Sequence, residues 1–207
     1  MTEPAESPAP GPAPGPRLPP LAAGEWDERL IRVLEQSPGG TDEPMHIFTT
    51  LGRAGPELFR RWLAFGGALL SGRLPGRLRE LVILRTACRF GGRYEWAQHI
   101  EIGEAEGVTP AELAALGGRA PADLDAVPWA PLERAALRAV DETADDGAVA
   151  DATWDALDAQ LDESELIELL MLIAHYLMLT TVLRSLRIQL EPRAEALARR
   201  VPGGPAD

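Results

Sequence analysis

The sequence predicts an all-α protein, a helical bundle, and three observations carry that prediction. From Leu21 onward apolar residues recur three and four positions apart. No stretch alternates apolar and polar residues over the length of a strand. The breaks between periodic segments hold glycine, proline and capping side chains, which stop one helix and start the next.

Taken in order, Glu25 to Gln36 reads as a first helix, closed by Ser37-Pro38-Gly39-Gly40. Pro56 to Leu70 is a long amphipathic segment, stopped by Gly72 and Pro75. Arg77 to Phe90 follows, then a break at Gly91-Gly92, then Arg93 to Glu106 with Gly107 placed as a cap. Thr109-Pro110-Ala111-Glu112 combines a capping box with proline at the first helical position. Residues 131–144 and 152–160 are further helices around Asp145-Asp146-Gly147. Asp162-Glu163-Ser164-Glu165 caps a last helix that runs to about Leu190. Leu166 to Leu183 is nearly apolar enough to span a membrane, but Glu168, His175 and Tyr176 inside it favour a core helix.

The flanks read differently. Residues 1–20 hold eight of the 19 prolines and almost no large apolar side chain, so they predict a disordered tail without a secretory leader. One all-α domain is expected over 21–192, with 193–207 as a flexible C-terminal tail.

Composition removes whole chemistries. All 20 basic residues of this 207-residue chain are arginine. Without lysine there is no Schiff base and no phosphate-loop lysine. The lone Cys88 forms no internal disulfide or dithiol pair. A net charge of -12 argues against a nucleic-acid partner. The excess of Ala, Gly, Pro and Arg beside absent Lys and Asn looks like GC-rich coding, which points to a bacterial cytoplasmic protein.

Two helices carry candidate chemistry. Glu80 shares an apolar stripe with Ile83, Leu84 and Ala87, where a carboxylate is costly unless paired. Arg77, Arg79 and Arg85 could supply that pair. On the next helix Glu95 and His99 are four apart and so share a face, as a proton-transfer couple would. An ordinary surface Glu–His pair has the same spacing. A metal site from Glu80, Glu95, His99 and His175 has no recognised ligand spacing, and neither a metal nor a cofactor is expected.

Residues 74–113, LPGRLRELVILRTACRFGGRYEWAQHIEIGEAEGVTPAEL, resemble the carboxymuconolactone decarboxylase family, which includes alkyl hydroperoxide reductase D. Weaker likeness extends over about residues 17–190. The resemblance implies a helical bundle of the alkyl hydroperoxide reductase D-like type and a homo-oligomer, a dimer or trimer, with pockets near subunit interfaces. Glu80 and His99 fall on the proton-relay Glu and His of the family's peroxidase branch. That branch's two cysteines fall on Gly92 and Glu95, so the redox pair is replaced. Glu80, Glu95 and His99 are therefore expected as catalytic groups around one pocket, with Tyr94, Trp96 and His175 lining it.

The expected activity is cofactor-independent proton transfer on a small carboxylate or carbonyl compound, by decarboxylation, isomerisation or a related step. Three alternatives remain: a peroxidase working through Cys88, a non-catalytic ligand-binding or scaffold protein, and an enzyme of a specialised metabolite. The partner is a small molecule, with no nucleic acid and no membrane. Arg184 and Arg187 suit either a substrate carboxylate or the end of their helix. Trp26, Trp62, Trp129 and Trp154 look like packing anchors, and His46 carries no assigned role.

Overall fold

The computed structural model describes residues 15–201 and 203–205. Its elements are α1 (Glu28–Glu35), α2 (His46–Leu51), α3 (Pro56–Leu70), α4 (Gly76–Phe90) and α5 (Arg93–Ala105). They continue with α6 (Pro110–Gly117), α7 (Pro131–Asp146), α8 (Asp151–Asp158), α9 (Glu163–Leu186) and α10 (Pro192–Arg200). Three short 3-10 turns join some of them, and no strand occurs among the described residues.

The bundle is organised around α4, which packs against α5, α6, α7 and α9. It is enclosed on every side, so Leu78 and all residues from Glu80 to Cys88 are buried. One core cluster joins α4 to α7, α8 and α9 through Val82, Ile83, Val140, Leu157 and Leu169. The other joins α4 to α5 and α6 through Leu84, Trp96, Ile100 and Leu113. Inside this apolar surround Arg85 is fully buried against Asp141, with a bidentate pair at 2.8 and 2.9 Å. Its remaining N–H groups reach the carbonyls of Leu116, Gly118 and Ala120, so the charge arrives with its hydrogen bonds satisfied.

Local chemistry sets the boundaries. The Asp27 carboxylate accepts from the Arg29 and Leu30 amides, which starts α1 three residues later than periodicity suggests. Arg187 adopts a left-handed conformation (φ 55°) that closes α9 at Leu186, not near Leu190. By length and composition α9 could cross a membrane, and half of its most apolar window is buried inside the protein. Glu168 serves the turn before α4: its oxygens accept from the Arg73 and Leu74 amides at 2.9 and 3.1 Å.

Both flanks depart from expectation. Within the expected N-terminal tail, residues 1–14 lie outside the described residues. The Arg17 amide donates to the Leu186 carbonyl (2.9 Å), and Arg53 holds the Pro19 carbonyl (2.9 Å). The expected flexible tail 193–207 instead contains most of α10, which packs on α5 with Ala194 and Val201 buried. Ion pairs Arg193–Glu101 and Arg200–Glu104 fasten it. A segment this polar gains its order from those tertiary partners and not from its own apolar content. Trp154, expected as an anchor, is 40% exposed.

Candidate active site

The elbow between α4 and α5 creates the site. Gly91 (φ 75°) ends α4 in the left-handed region, and the chain reverses at once into α5. The antiparallel return sets the middle of α5 against the middle of α4. His99 Nδ1–H accordingly donates to Glu80 Oε2 at 2.7 Å. With Nδ1 carrying the proton, Nε2 is the acceptor, and the Tyr176 hydroxyl from α9 donates to it at 3.1 Å. Burial and the charges of Glu80 and Glu95 push the Tyr176 phenol well up, which keeps it a donor. Glu80, His99 and Tyr176 thus form one chain of hydrogen bonds across three helices. Arg79 approaches Glu80 Oε1 at 3.5 Å as an ion pair.

Glu95 lies one turn before His99 and is buried. Loss of solvent pushes its pKa from 4.5 up to about 7, with His99 and the Thr180 hydroxyl opposing the shift weakly. Neither Glu95 oxygen makes a well-formed hydrogen bond among the described residues. The same holds for Thr180 Oγ1, Glu80 Oε1 and His175 Nδ1 nearby. Buried polar atoms are normally satisfied, so their concentration here marks a place built for something other than stability.

Glu95 depends on Gly92. A Cβ on Gly92 would lie 2.5 Å from Thr180 Oγ1 and 2.8 Å from Glu95 Oε2. The two replacements at the cysteine positions are thus coupled: the carboxylate folds into space that the glycine leaves. Gly92→Cys is expected to destabilise the protein by about 1–3 kcal/mol through overpacking. Adding Glu95→Cys removes one clashing group, so urea melts of the double variant should recover part of that loss.

Tyr94, Glu95, His99, His175 and Tyr176 all face one cavity of about 540 Å³ between α2, α3, α5, α9 and α10. Val33, Phe48, Trp62, Leu63 and Leu179 supply much of its apolar wall. Glu80 stands behind His99, fully buried. His175 is edge-on to Phe65 and Tyr176, and burial lowers its pKa, which keeps the ring neutral. Tyr94 donates to Glu191 Oε1 (2.6 Å) and accepts from the Ile47 amide (3.2 Å), tying the wall together. Glu191 also accepts from the His46 amide and from Gln98, so His46 serves this seam.

Trp96 is expected in the pocket and is not there. One residue beyond Glu95, its side chain points about 100° around the helix and packs in the second core cluster, 1% exposed. Tyr176 is a site residue that sequence reasoning misses, because inside the apolar run of α9 nothing local marks it. Cys88 is buried in that second cluster. Its thiol donates to the Gly117 carbonyl (3.0 Å), burial raises its pKa, and it does not line the cavity. No cluster of metal-ligating side chains occurs among the described residues.

Known structures share this architecture. A peroxidase-related protein from Ralstonia eutropha with an alkylhydroperoxidase AhpD core aligns over 91% of this chain and 98% of its own, with TM-score 0.75 and 16% identity. The debrominase Bmp8, as a cysteine-to-alanine variant in complex with 2,3,4-tribromopyrrole, aligns over 89% and 96%, with TM-score 0.68 and 18% identity. At these identities the likeness is one of fold. No functionally curated protein matches the sequence. Residues 56–142, from α3 through most of α7, match the model of the carboxymuconolactone decarboxylase family. That segment is similar to the carboxymuconolactone decarboxylase family, and the fold of the chain is AhpD-like.

Proposed function

We propose that the chain is a cofactor-independent acid–base enzyme that moves a proton on a small carbonyl compound. The hydrogen-bond chain Glu80–His99–Tyr176, ending in an apolar cavity beside a half-protonated Glu95, carries this reading. A carbonyl oxygen entering the cavity takes the Tyr176 hydrogen bond, which frees His99 Nε2. That nitrogen removes a proton from the adjacent carbon, and the imidazolium formed is stabilised by Glu80. Tyr176 supports the enolate oxygen. Where a carbon–carbon double bond is conjugated with the enolate, Glu95, with a pKa near neutrality, returns a proton at the far carbon of that dienolate, and the net change is isomerisation. Loss of carbon dioxide to the same enolate, followed by protonation, would use the same groups.

The cavity narrows the substrate class. Its wall holds one arginine, Arg193, which is already paired with Glu101, while Glu95 and Glu191 are acidic. A neutral, mostly apolar carbonyl compound suits it better than a carboxylate. The bromopyrrole of Bmp8, a small flat ring, has similar apolar character. The position of Cys88 weighs against the thiol route. The expected homo-oligomer remains part of this proposal, with Ile167, Met171 and Met178 forming an exposed apolar stripe on α9 that suits a partner copy.

The test works without identifying the product. Enolisable ketones and lactones are incubated with the protein in D2O, and loss of the α-proton signal is followed by NMR. Exchange that depends on His99 and Glu95 supports the proposal. Exchange that persists in His99→Ala, or none with any compound, overturns it.

Glu95 also makes stability depend on pH. Its folded pKa of about 7 exceeds the ordinary 4.5, so the native state holds an extra proton between those values. Stability from this group is therefore lost as pH rises through that window. Relative to wild type, Glu95→Gln should gain about 3 kcal/mol between pH 4.5 and pH 8. Denaturant titrations at the two pH values measure it.

A further inference from the structure

A second cleft, of about 650 Å³, opens where the C-termini of α4 and α9 meet, on the far side of Tyr94 and Glu95 from the reaction cavity. Arg17, Arg93, Arg184 and Arg187 line it. This concentration is unusual in a chain of net charge -12. Of its 20 arginines, all but six lie within 4.0 Å of a carboxylate among the described residues. The six are Arg17, Arg29, Arg119, Arg138, Arg184 and Arg187, and three of them converge on this cleft.

Helix capping accounts for part of this. Arg184 donates to the Phe90 carbonyl at the end of α4 (3.0 Å) and lies against Gly91. Arg17 donates to the Ser185 carbonyl near the end of α9 (2.9 Å). Each uses one of five N–H donors, and a helix C-terminus offsets about half a charge. Arg187 caps nothing with its guanidinium, yet its backbone is held in the left-handed region, unlike any other described non-glycine residue. Glu195 is matched by Arg93 (2.8 Å), and Glu95, buried in the shared wall, is only partly ionised at neutral pH. Among the described residues a net positive charge is left over, with unused N–H donors on Arg17, Arg184 and Arg187.

We propose that this cleft binds a small oxyanion, a phosphate or carboxylate group, through Arg17, Arg184 and Arg187. Guanidiniums recognise both groups through paired N–H donors. The site is separate from the reaction cavity and stands or falls independently of the proton-transfer reading.

The full chain is titrated calorimetrically at low salt with inorganic phosphate and, separately, with malonate. Saturable binding of either is expected, and the tighter of the two names the source, phosphate or carboxylate. Arg187→Gly removes the guanidinium and relieves the left-handed backbone, so it should keep its fold while weakening binding about tenfold. Arg138→Gln, an unpaired arginine elsewhere, should bind as wild type. No saturation by about 10 mM, undiminished binding in Arg187→Gly, or equal loss in Arg138→Gln overturns the site.

Discussion

His99→Ala is expected to lower the rate of α-proton exchange by about 100- to 10,000-fold, the usual worth of one positioned general base. Far-UV circular dichroism should stay helical, because alanine favours the helix and the change leaves the apolar side chains of both core clusters in place. Glu80→Gln should give a smaller loss with a telling pH profile. The amide still accepts from His99 Nδ1–H but no longer stabilises the imidazolium, so the acidic limb, where the base must lose its proton, moves down in pH. A profile unchanged in position would mean that Glu80 merely fills space.

Arg85→Ala is expected to have the largest effect on stability, about 3 kcal/mol, because buried Asp141 loses its bidentate partner and keeps only Arg89, at 3.6 Å. The penalty comes from the under-compensated partner more than from the lost attraction. Arg85→Met with Asp141→Leu removes both charges and should recover most of the loss, as read from urea midpoints. If the single variant melts like wild type, the buried pair does not hold α4 to α7.

Much of the fold is legible in the sequence because each boundary has a local cause. Pro56, Gly91, the Thr109–Glu112 box and Asp162 act through their own backbone, and the structure uses them as the sequence suggests. What is not legible depends on partners distant in sequence. α2 exists because Met45 and Ile47 join the wall around Tyr94 and Glu191, and α10 because α5 offers it carboxylates. Glu80 and His99 can be paired through the family motif, and Glu95 through its helical spacing. Tyr176 cannot be found that way, since its role depends on α9 crossing His99 from 77 residues away. Trp96 shows the converse: adjacency in sequence to a site residue places a helical side chain on another face.

The two-residue elbow at Gly91-Gly92 has one more consequence. Surface connections ordinarily tolerate extra residues, which merely lengthen a loop. Here one inserted residue would turn α5 by about 100° and advance it about 1.5 Å. That shift would carry His99 away from Glu80 and swing Glu95 out of the space beside Gly92. The connection is a gauge with no slack, and the chain can change length almost anywhere on its surface more safely than here.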